Sequence, residues 1–280
     1  MAVVLVTGGS SGIGLATVRR LAASGDRVCY GSRTAAPPKT FAAFGPDVTH
    51  VPHDLADPAS CDAAVRSVVA AAGRLDVLVN CAGTGGLAPL EEAPDTEAHR
   101  IFEVNVFGPM RLIRAAVPVM RAGGGGRIVN VTSLNDIAPA PFGGWYSASK
   151  SALMSLSYVL GAELAGTGIA VTVVAPGLFR TAMSESLPSQ RVAPGSRFTL
   201  AFETLSRASA DRLQAAADPD DAARVIEDCI RSESPPARMI AGADGVAIEN
   251  VVRQASAEDL ARMLGEAVGK LTAGNGGTTA

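Results

Sequence analysis

The segment "VVLVTGGSSGIG", residues 3–14, decides the fold. Its opening run of aliphatic residues predicts a strand buried on both faces of a parallel sheet, and the glycines after it predict a tight turn into a helix. A helix N-terminus offers free N–H groups to a pyrophosphate, and glycine lets the phosphate approach the backbone. A Gly/Ser loop without function is the alternative, but the position between a buried strand and a helix favours a dinucleotide site. The spacing is GxxxGxG rather than the usual GxGxxG.

The same order of strand and helix continues along the chain. Short β-branched runs predict strands near residues 3–6, 27–30, 48–51, 75–79, 127–131, 170–174 and 238–240. Ala-rich segments of helical spacing predict helices near residues 12–24, 58–72, 96–121 (with a break allowed inside it), 147–165, 219–231 and 256–269. This alternation predicts the α/β class: a Rossmann-type, doubly wound, seven-stranded parallel sheet flanked by helices.

One domain is expected over residues 1–271, since no linker or internal repeat interrupts the pattern. Within it, residues 184–216 carry no clear strand and are interpreted as an insertion over a site, a substrate lid. Residues 232–271 are interpreted as a C-terminal extension, and the sequence "TAGNGGTTA" at residues 272–280 predicts a disordered tail.

Composition excludes several classes of function. The 280 residues carry a formal net charge of −3 with both signs dispersed, which argues against nucleic-acid binding and against an anionic membrane surface. The four cysteines form no CxxC pair and indicate reduced thiols, and the three histidines lack metal-ligand spacing, so no metal site is expected.

No apolar run is long enough for a bilayer, and "MAVVLVTGG" lacks a signal pattern. A cytoplasmic protein is the expectation.

The end of the second predicted strand indicates which dinucleotide is used. A carboxylate there would bind the ribose 2′-hydroxyl of NAD, whereas a basic residue suits the 2′-phosphate of NADP. The chain has Ser32 and Arg33 and no acid at this point, which favours NADP(H) over NAD(H), although Arg33 could be a solvated loop residue. Asp54 could accept a hydrogen bond from the adenine amino group or cap the turn that follows it.

The segment "YSASK" places Tyr146 four residues before Lys150. A free tyrosine has a pKa near 10, and a lysine one helical turn away would favour the phenolate, so that the phenol could exchange a proton. A core aromatic beside a surface lysine is the competing interpretation of this segment alone.

Six motifs occur in an order that resembles the single-domain branch of the short-chain dehydrogenase/reductase family. They are "TGGSSGIG" at 7–14, "NCAG" at 80–83, "VNV" around Asn105, "VTS" ending at Ser133, "YSASK" at 146–150 and "PGLFRT" at 176–181. Ser133 and Tyr146 lie 13 positions apart, which is the family's usual separation. "NCAG" departs conservatively from the commoner Asn-Asn-Ala-Gly. Around Tyr146, the chain looks most similar to hydroxysteroid- and retinol-dehydrogenase-like members.

The resemblance implies a set of catalytic residues. Tyr146 would be the proton donor to a carbonyl in reduction and the base in the reverse direction, and Lys150 would hold the nicotinamide-ribose hydroxyls. Ser133 would bind the substrate oxygen, and Asn105 would hold a water that links Lys150 to solvent; Asn105 could also be only a helix-start residue. The fit of Ser133, Lys150 and the glycine turn to one pattern favours the catalytic interpretation of Tyr146.

The resemblance and the strand ends together imply the cofactor-binding set Gly8, Ser10, Ser11, Gly12, Ile13, Gly14, Ser32, Arg33, Asp54, Leu55, Asn80, Ala82, Gly83, Tyr146, Lys150, Pro176, Gly177, Phe179 and Thr181. Arg180 has no role in the family pattern. As partners, the family implies a small carbonyl or alcohol substrate and a second copy of the chain, in a homodimer or homotetramer.

The substrate pocket is expected to contain Phe142, Trp145 and Met183, together with apolar lid residues (Leu187, Val192, Phe198, Leu200 and Phe202). Ordinary packing under a lid is an equal alternative; if these residues do line the pocket, the substrate is lipophilic. A non-catalytic sensor or scaffold that binds NADP(H) is the opposing function class. A nucleotide-sugar epimerase or dehydratase of the same fold is disfavoured by the glycine spacing.

Overall fold

The computed structural model describes residues 1–186 and 192–272. Its sheet has seven parallel strands in the order β3-β2-β1-β4-β5-β6-β7. The strands β1 to β7 are Val3–Thr7, Arg27–Ser32, Val48–Pro52, Val77–Asn80, Gly126–Val131, Ile169–Pro176 and Arg238–Ala241. The strand order reverses between β1 and β4, and this switch point opens a crevice at the carboxyl ends of the strands. The predicted fold class is confirmed.

Helices cover both faces of the sheet. The helices α1 to α10 are Gly12–Ala23, Pro58–Ala72, Asp95–Phe102, Gly108–Ala122, Gly144–Glu163, Ala182–Ser186, Thr199–Gln214, Pro219–Arg231, Ala243–Gln254 and Ala257–Thr272. A π-helical turn, Glu103–Phe107, joins α3 to α4, so the break allowed inside 96–121 is present. α5 begins three residues earlier than predicted, which places Tyr146 in its first turn.

β1 shows why the sheet is buried on both faces. Its side chains alternate, so that Val4 and Val6 join the core beneath α1 and α8. Val3 and Leu5 join the second core, which packs against α2 and α4. Every residue of β1 is buried, as the continuous aliphatic run requires.

Local signals explain where α2 and α8 begin. Asp57 accepts a hydrogen bond from the Ala59 N–H, and Asp218 accepts one from the Asp220 N–H. A proline follows each of these caps at the first helical position, where its missing N–H costs nothing. α2 ends at Gly73, whose φ of +75° is left-handed.

Among the described residues, α6, α7 and α9 are helices that the sequence analysis did not predict. α7 occupies much of the segment 184–216, and α9 follows β7. α7 buries only Ala201, Phe202 and Thr204, so its sequence carries a weak apolar stripe. α10 packs on α7 and includes Thr272, which was assigned to the tail; residues 273–280 lie outside the described part of the chain. None of the helices in residues 1–186 and 192–272 combines the length and the apolar character needed to cross a bilayer.

Candidate active site

The glycine turn after β1 is shaped to receive a dinucleotide. Gly8 and Gly12 have φ values of +68° and +52°, which L side chains rarely adopt. A Cβ at Gly14 would collide with the backbone carbonyl of Gly8, so α1 begins close against the turn. The Ser11 side chain caps none of the first-turn N–H groups. A pyrophosphate therefore fits at these N–H groups.

The segment Pro176–Thr181 lies across from this turn. A Cβ at Gly12 would come within 3.1 Å of the Thr181 methyl carbon, so the two segments bound one cleft. The Thr181 hydroxyl lies 3.2 Å from the Ser184 hydroxyl and accepts a hydrogen bond from the Ser184 N–H at 3.2 Å. Phe179 is buried in the core, and Arg180 is exposed.

At the other end of the cleft, the end of β2 carries no carboxylate. The Ser32 hydroxyl donates to the Thr34 carbonyl at 2.7 Å and lies 3.1 Å from His50 Nε2. Arg33 is exposed and forms no ion pair with any described residue. The Asp54 carboxylate accepts a hydrogen bond from the Ala56 N–H at 2.9 Å, which is the turn-capping alternative.

Two residues of the expected cofactor set have side chains packed away from the cleft. Leu55 is buried, and its side chain lies against Gly108 of α4. Asn80 is buried and donates to the Asn130 side chain at 2.9 Å, between β4 and β5. These two residues could therefore contact a cofactor only through their backbone atoms.

Thr7 holds the β4 loop in place, a role the sequence analysis missed. Its hydroxyl accepts hydrogen bonds from the N–H groups of Cys81 and Ala82, both at 3.0 Å. A buried threonine at the end of β1 gives no motif signal, because its two donors lie more than seventy positions away. These two hydrogen bonds fix the "NCAG" segment beside the glycine turn.

Asn105 holds the next part of the same loop. Its Oδ1 accepts from the Thr84 N–H at 2.8 Å, and its Nδ2 donates to the Thr84 carbonyl at 2.8 Å and to the Ser149 hydroxyl at 3.0 Å. A Cβ at Gly83 would lie 3.4 Å from both Asn105 Oδ1 and Lys150 Nζ. The fold therefore brings Asn105, Lys150 and "NCAG" together.

Ser133 follows β5, and Tyr146, in the first turn of α5, lies close enough for Ser133 to act on its hydroxyl. Ser133 is the N-cap of a short 3₁₀ turn, Leu134–Asp136, and its Oγ accepts from the Asn135 N–H at 3.2 Å. Burial raises the pKa of Tyr146, the hydrogen bond with Ser133 lowers it, and the charge of Asp136 raises it; the net shift is upward. Lys150 Nζ lies 5.8 Å from the phenol ring centroid, so its charge stands beside the tyrosine.

Lys150 is a buried cation. Its Nζ donates to the Val131 carbonyl at 3.0 Å. Burial lowers the pKa of Lys150 to about 8, against smaller upward effects of Cys81 and Asp136. The surface-lysine interpretation of "YSASK" is excluded, because only 4% of Lys150 is exposed.

Two aromatic residues, Phe142 and Trp145, lie on the segment just before Tyr146. Phe142, with φ of +62°, packs its ring against Phe198 and Phe202 at centroid distances of 5.5 and 4.8 Å. Trp145 lies edge-on to Phe102 and, with Phe142, lines a cavity of about 210 Å³. The remaining lining residues of this cavity are Gly86, Leu87, Ala88, Pro94, Glu97 and Ile101. Met183 lies over Gly83, Leu200 faces solvent, and Leu187 lies outside the described residues.

The profile of the family described as short chain dehydrogenase matches residues 2–192. This chain belongs to the short-chain dehydrogenase/reductase family. It is 37% identical over 187 residues to the 3-alpha-(or 20-beta)-hydroxysteroid dehydrogenase of Mycobacterium bovis, covering 66% of this chain and 72% of that relative. The family and the enzyme class predicted from the motifs are confirmed, and the chain is an oxidoreductase that acts on hydroxyl or carbonyl groups.

Solved structures of the family resemble the whole molecule. A short-chain dehydrogenase from Streptomyces avermitilis is 31% identical with a TM-score of 0.79, covering 99% of this chain and 98% of that one. A short chain dehydrogenase from Burkholderia cenocepacia in complex with NADP is 25% identical with a TM-score of 0.74, covering 94% and 97%. Members of the family bind NAD(H) or NADP(H).

Proposed function

We propose that this short-chain dehydrogenase/reductase uses NADP(H) to interconvert a lipophilic ketone or aldehyde and its alcohol, with Tyr146 as acid and base. The observation that carries the proposal is the position of Tyr146 and buried Lys150 against the loop after β4. Lys150 Nζ lies 5.8 Å from the centroid of the Tyr146 ring, a Cβ at Gly83 would lie 3.4 Å from Lys150 Nζ, and a Cβ at Gly85 would lie 3.3 Å from the Tyr146 ring. A core tyrosine would not need a buried lysine held beside it at the edge of a dinucleotide cleft.

Residues of the chain itself supply and stabilise the proton that is transferred to the substrate oxygen. Ser133 donates a hydrogen bond to the substrate carbonyl oxygen and stabilises the charge that develops there. Tyr146, kept protonated by burial, gives its proton to the same oxygen as the alcohol forms. Lys150, with a pKa of about 8, stays charged at neutral pH beside the phenolate that results. A nicotinamide cofactor, when bound, would supply the hydride to the carbonyl carbon in reduction and would accept it in oxidation.

The preference for NADP(H) rests on the end of β2. Ser32 is held there by Thr34 and His50, Arg33 is exposed, and no acid stands in position to repel a 2′-phosphate. A charge-assisted hydrogen bond from Arg33 to that phosphate would contribute about 1.5–3 kcal/mol.

A lipophilic substrate suits the surface that leads to Tyr146. Phe142, Trp145 and Met183 lie on that side, and Phe198 and Phe202 of the lid segment pack over Phe142. The relative from Mycobacterium bovis is named for hydroxysteroids, which are lipophilic.

The proposal extends to assembly and location. Phe107, Leu156 and Val159 are exposed apolar side chains around α4 and α5, a surface suited to a second copy of the chain in a homodimer or homotetramer. The cytoplasm is proposed as the location, since Cys29, Cys61, Cys81 and Cys229 are free thiols that suit a reducing compartment.

The cofactor and substrate are tested together by steady-state reduction of a panel of ketones and aldehydes, from small and polar to large and lipophilic. We expect turnover with NADPH to exceed turnover with NADH, and to be best with a large lipophilic carbonyl. Arg33→Ala should raise the KM for NADPH about tenfold or more and leave the KM for NADH unchanged. Arg66→Ala, an exposed arginine of α2, is the control.

Two results would change the proposal. Turnover with NADH well above that with NADPH would overturn the cofactor preference. Tight NADPH binding without turnover of any carbonyl, or of any alcohol with NADP, would favour the non-catalytic sensor.

A further inference from the structure

A buried ion pair ties the C-terminal extension to the turn that carries Ser133. Arg238, the first residue of β7, donates from Nη1 to Asp136 Oδ2 at 2.7 Å and from Nη2 to Oδ1 at 2.9 Å. The Asp136 side chain is fully buried, and the Arg238 side chain is 10% exposed. The two residues lie 102 positions apart in the sequence. The bidentate geometry fixes the direction of both side chains.

The other polar groups of Asp136 form hydrogen bonds with residues next to Ser133 and Lys150. Its Oδ2 also accepts from the Thr132 hydroxyl at 2.7 Å, its N–H donates to the Ser133 carbonyl at 3.0 Å, and its carbonyl accepts from the Ser151 hydroxyl at 2.7 Å. Thr132 precedes Ser133, and Ser151 follows Lys150. One carboxylate residue therefore links the serine turn to α5.

Arg238 is itself held from the side of α9. Its Nε lies 3.4 Å from Glu249 Oε1, and Glu249 also pairs with Arg253. Gly245 of α9 lies directly over the side chain of Leu134, where a Cβ would come within 3.2 Å of Leu134 Cδ1. The serine turn is thus enclosed between β7, α9 and α5.

Stability alone does not explain this ion pair. The free energy lost when two charges are removed from water offsets most of the free energy gained from their attraction. A protein with apolar side chains of the same size at such a position is often equally stable. The ion pair instead fixes the orientation of the turn that carries Ser133. A hydroxyl that binds a reacting oxygen must be held within about 0.5 Å of its productive position.

We propose that Arg238 and Asp136 are positioning residues for the reaction, which fix the Ser133 hydroxyl in its place against Tyr146. The inference rests on the proposed function, because Ser133 must take part in turnover for its position to matter. Neither residue touches the substrate; both act through Ser133.

The test is a double-mutant cycle between Arg238 and Ser133, measured as kcat for carbonyl reduction and as the KM for NADPH. Arg238→Met should lower kcat about tenfold or more and leave the KM for NADPH within twofold, since a shift of 1 Å at a reacting group can cost a hundredfold. In the Ser133→Ala background, Arg238→Met should lower kcat no further.

Arg231→Met is the matched control. Arg231 pairs with Asp26, which is also buried but lies just before β2, away from the turn that carries Ser133. This variant should lower the thermal midpoint without lowering kcat. Arg238→Lys keeps the charge and should fall between wild type and Arg238→Met in kcat; if Arg238→Met does not fold, Arg238→Lys takes its place in both backgrounds.

The proposal is overturned if the Arg238 variant leaves kcat unchanged in the wild-type background, or lowers it by the same factor in the Ser133→Ala background. Full turnover of Ser133→Ala by itself would be a different failure, since it would remove Ser133 from the proposed function before Arg238 is considered.

Discussion

The pKa values of half-buried Tyr146 and buried Lys150 shift in opposite directions. Burial raises the pKa of the phenol and lowers that of the ammonium to about 8. At neutral pH the phenol keeps its proton and the lysine its charge, the state in which the pair can donate a proton to a carbonyl. The cost of that state is the burial of a cation, which Lys150 Nζ partly offsets by donating a hydrogen bond to the Val131 carbonyl.

Lys150→Met should stabilise the cofactor-free protein at pH 7. The unfolded chain takes up the Lys150 proton below about pH 10.5 and the folded chain only below about 8, so the folded state is penalised below pH 8. The penalty fades as the pH rises from 8 toward 10.5. We expect a gain of about 1–3 kcal/mol in the free energy of unfolding at pH 7 that shrinks by pH 10.

Denaturant unfolding of both proteins at the two pH values measures this difference. Lys270→Met, at an exposed site in α10, is the control and should change neither value. A loss of stability at pH 7, or a gain that grows toward pH 10, would contradict the account of Lys150 as a desolvated cation.

At the residue scale, the motif residues could be predicted from the sequence, but the residues that hold them in place could not. Glycine, serine, tyrosine and lysine at fixed spacings are visible in the sequence because each is required by local chemistry. Thr7 and Arg238 act on residues far along the chain, so no short pattern reveals them. The upward shift in the pKa of Tyr146 was also beyond the sequence, since it depends on burial in the folded protein.

At the element scale, α7 is attached through a small aromatic contact. Phe202 is its largest buried side chain and meets the ring of Phe142 at 4.8 Å. At the N-terminal side of α7, Ser196 donates to Glu92 and Arg197 pairs with Glu91, both on the loop before α3. These exposed or half-exposed contacts add little, so Phe202 should dominate the docking of α7.

Phe202→Ala should loosen α7 without unfolding the sheet. Removing a buried phenylalanine costs about 3–5 kcal/mol, and here the loss falls on one helix. We expect faster amide exchange in α7 and in α10, which packs on it, with unchanged protection in β1 and β5. Leu200→Ala, at an exposed position of the same helix, is the control. Faster exchange spread over the whole sheet would show that α7 is not a separate unit.

The strands were easier to predict than the added helices. Parallel strands buried on both faces require continuous aliphatic runs, and all seven were found within a few residues, although β4 begins two residues later than predicted. α7 and α9 cover the surface of a finished fold and bury few side chains, so their sequences lack strong periodicity. Their positions follow from tertiary packing.

At the scale of the whole molecule, two apolar surfaces are open for a second copy. Val159 on α5 is 53% exposed and has Leu156 beside it, whereas Val246 on α9 is 50% exposed. On α9, Ile248 and Val251 are exposed as well, so exposure does not rank the two surfaces. The α5 surface is our candidate because the family resemblance implies pairing through α4 and α5.

Val159→Glu should therefore dissociate the oligomer in light scattering at micromolar concentration. A glutamate in the centre of an apolar interface leaves a desolvated charge without a partner. Val246→Glu, the same change at a site of equal exposure, should leave the mass unchanged if the dimer forms through α5. Dissociation by Val246→Glu alone would place the interface on α9.

The central claim is that Tyr146 transfers the proton, and one comparison tests it most directly. Turnover of a lipophilic ketone is followed by NADPH consumption for the wild type, for Tyr146→Phe and for Tyr158→Phe, an exposed tyrosine on the same helix. The Kd for NADPH is measured alongside. We expect Tyr146→Phe to lose about a hundredfold or more in kcat with NADPH binding intact, and Tyr158→Phe to match the wild type. Turnover by Tyr146→Phe near the wild-type rate would contradict the account.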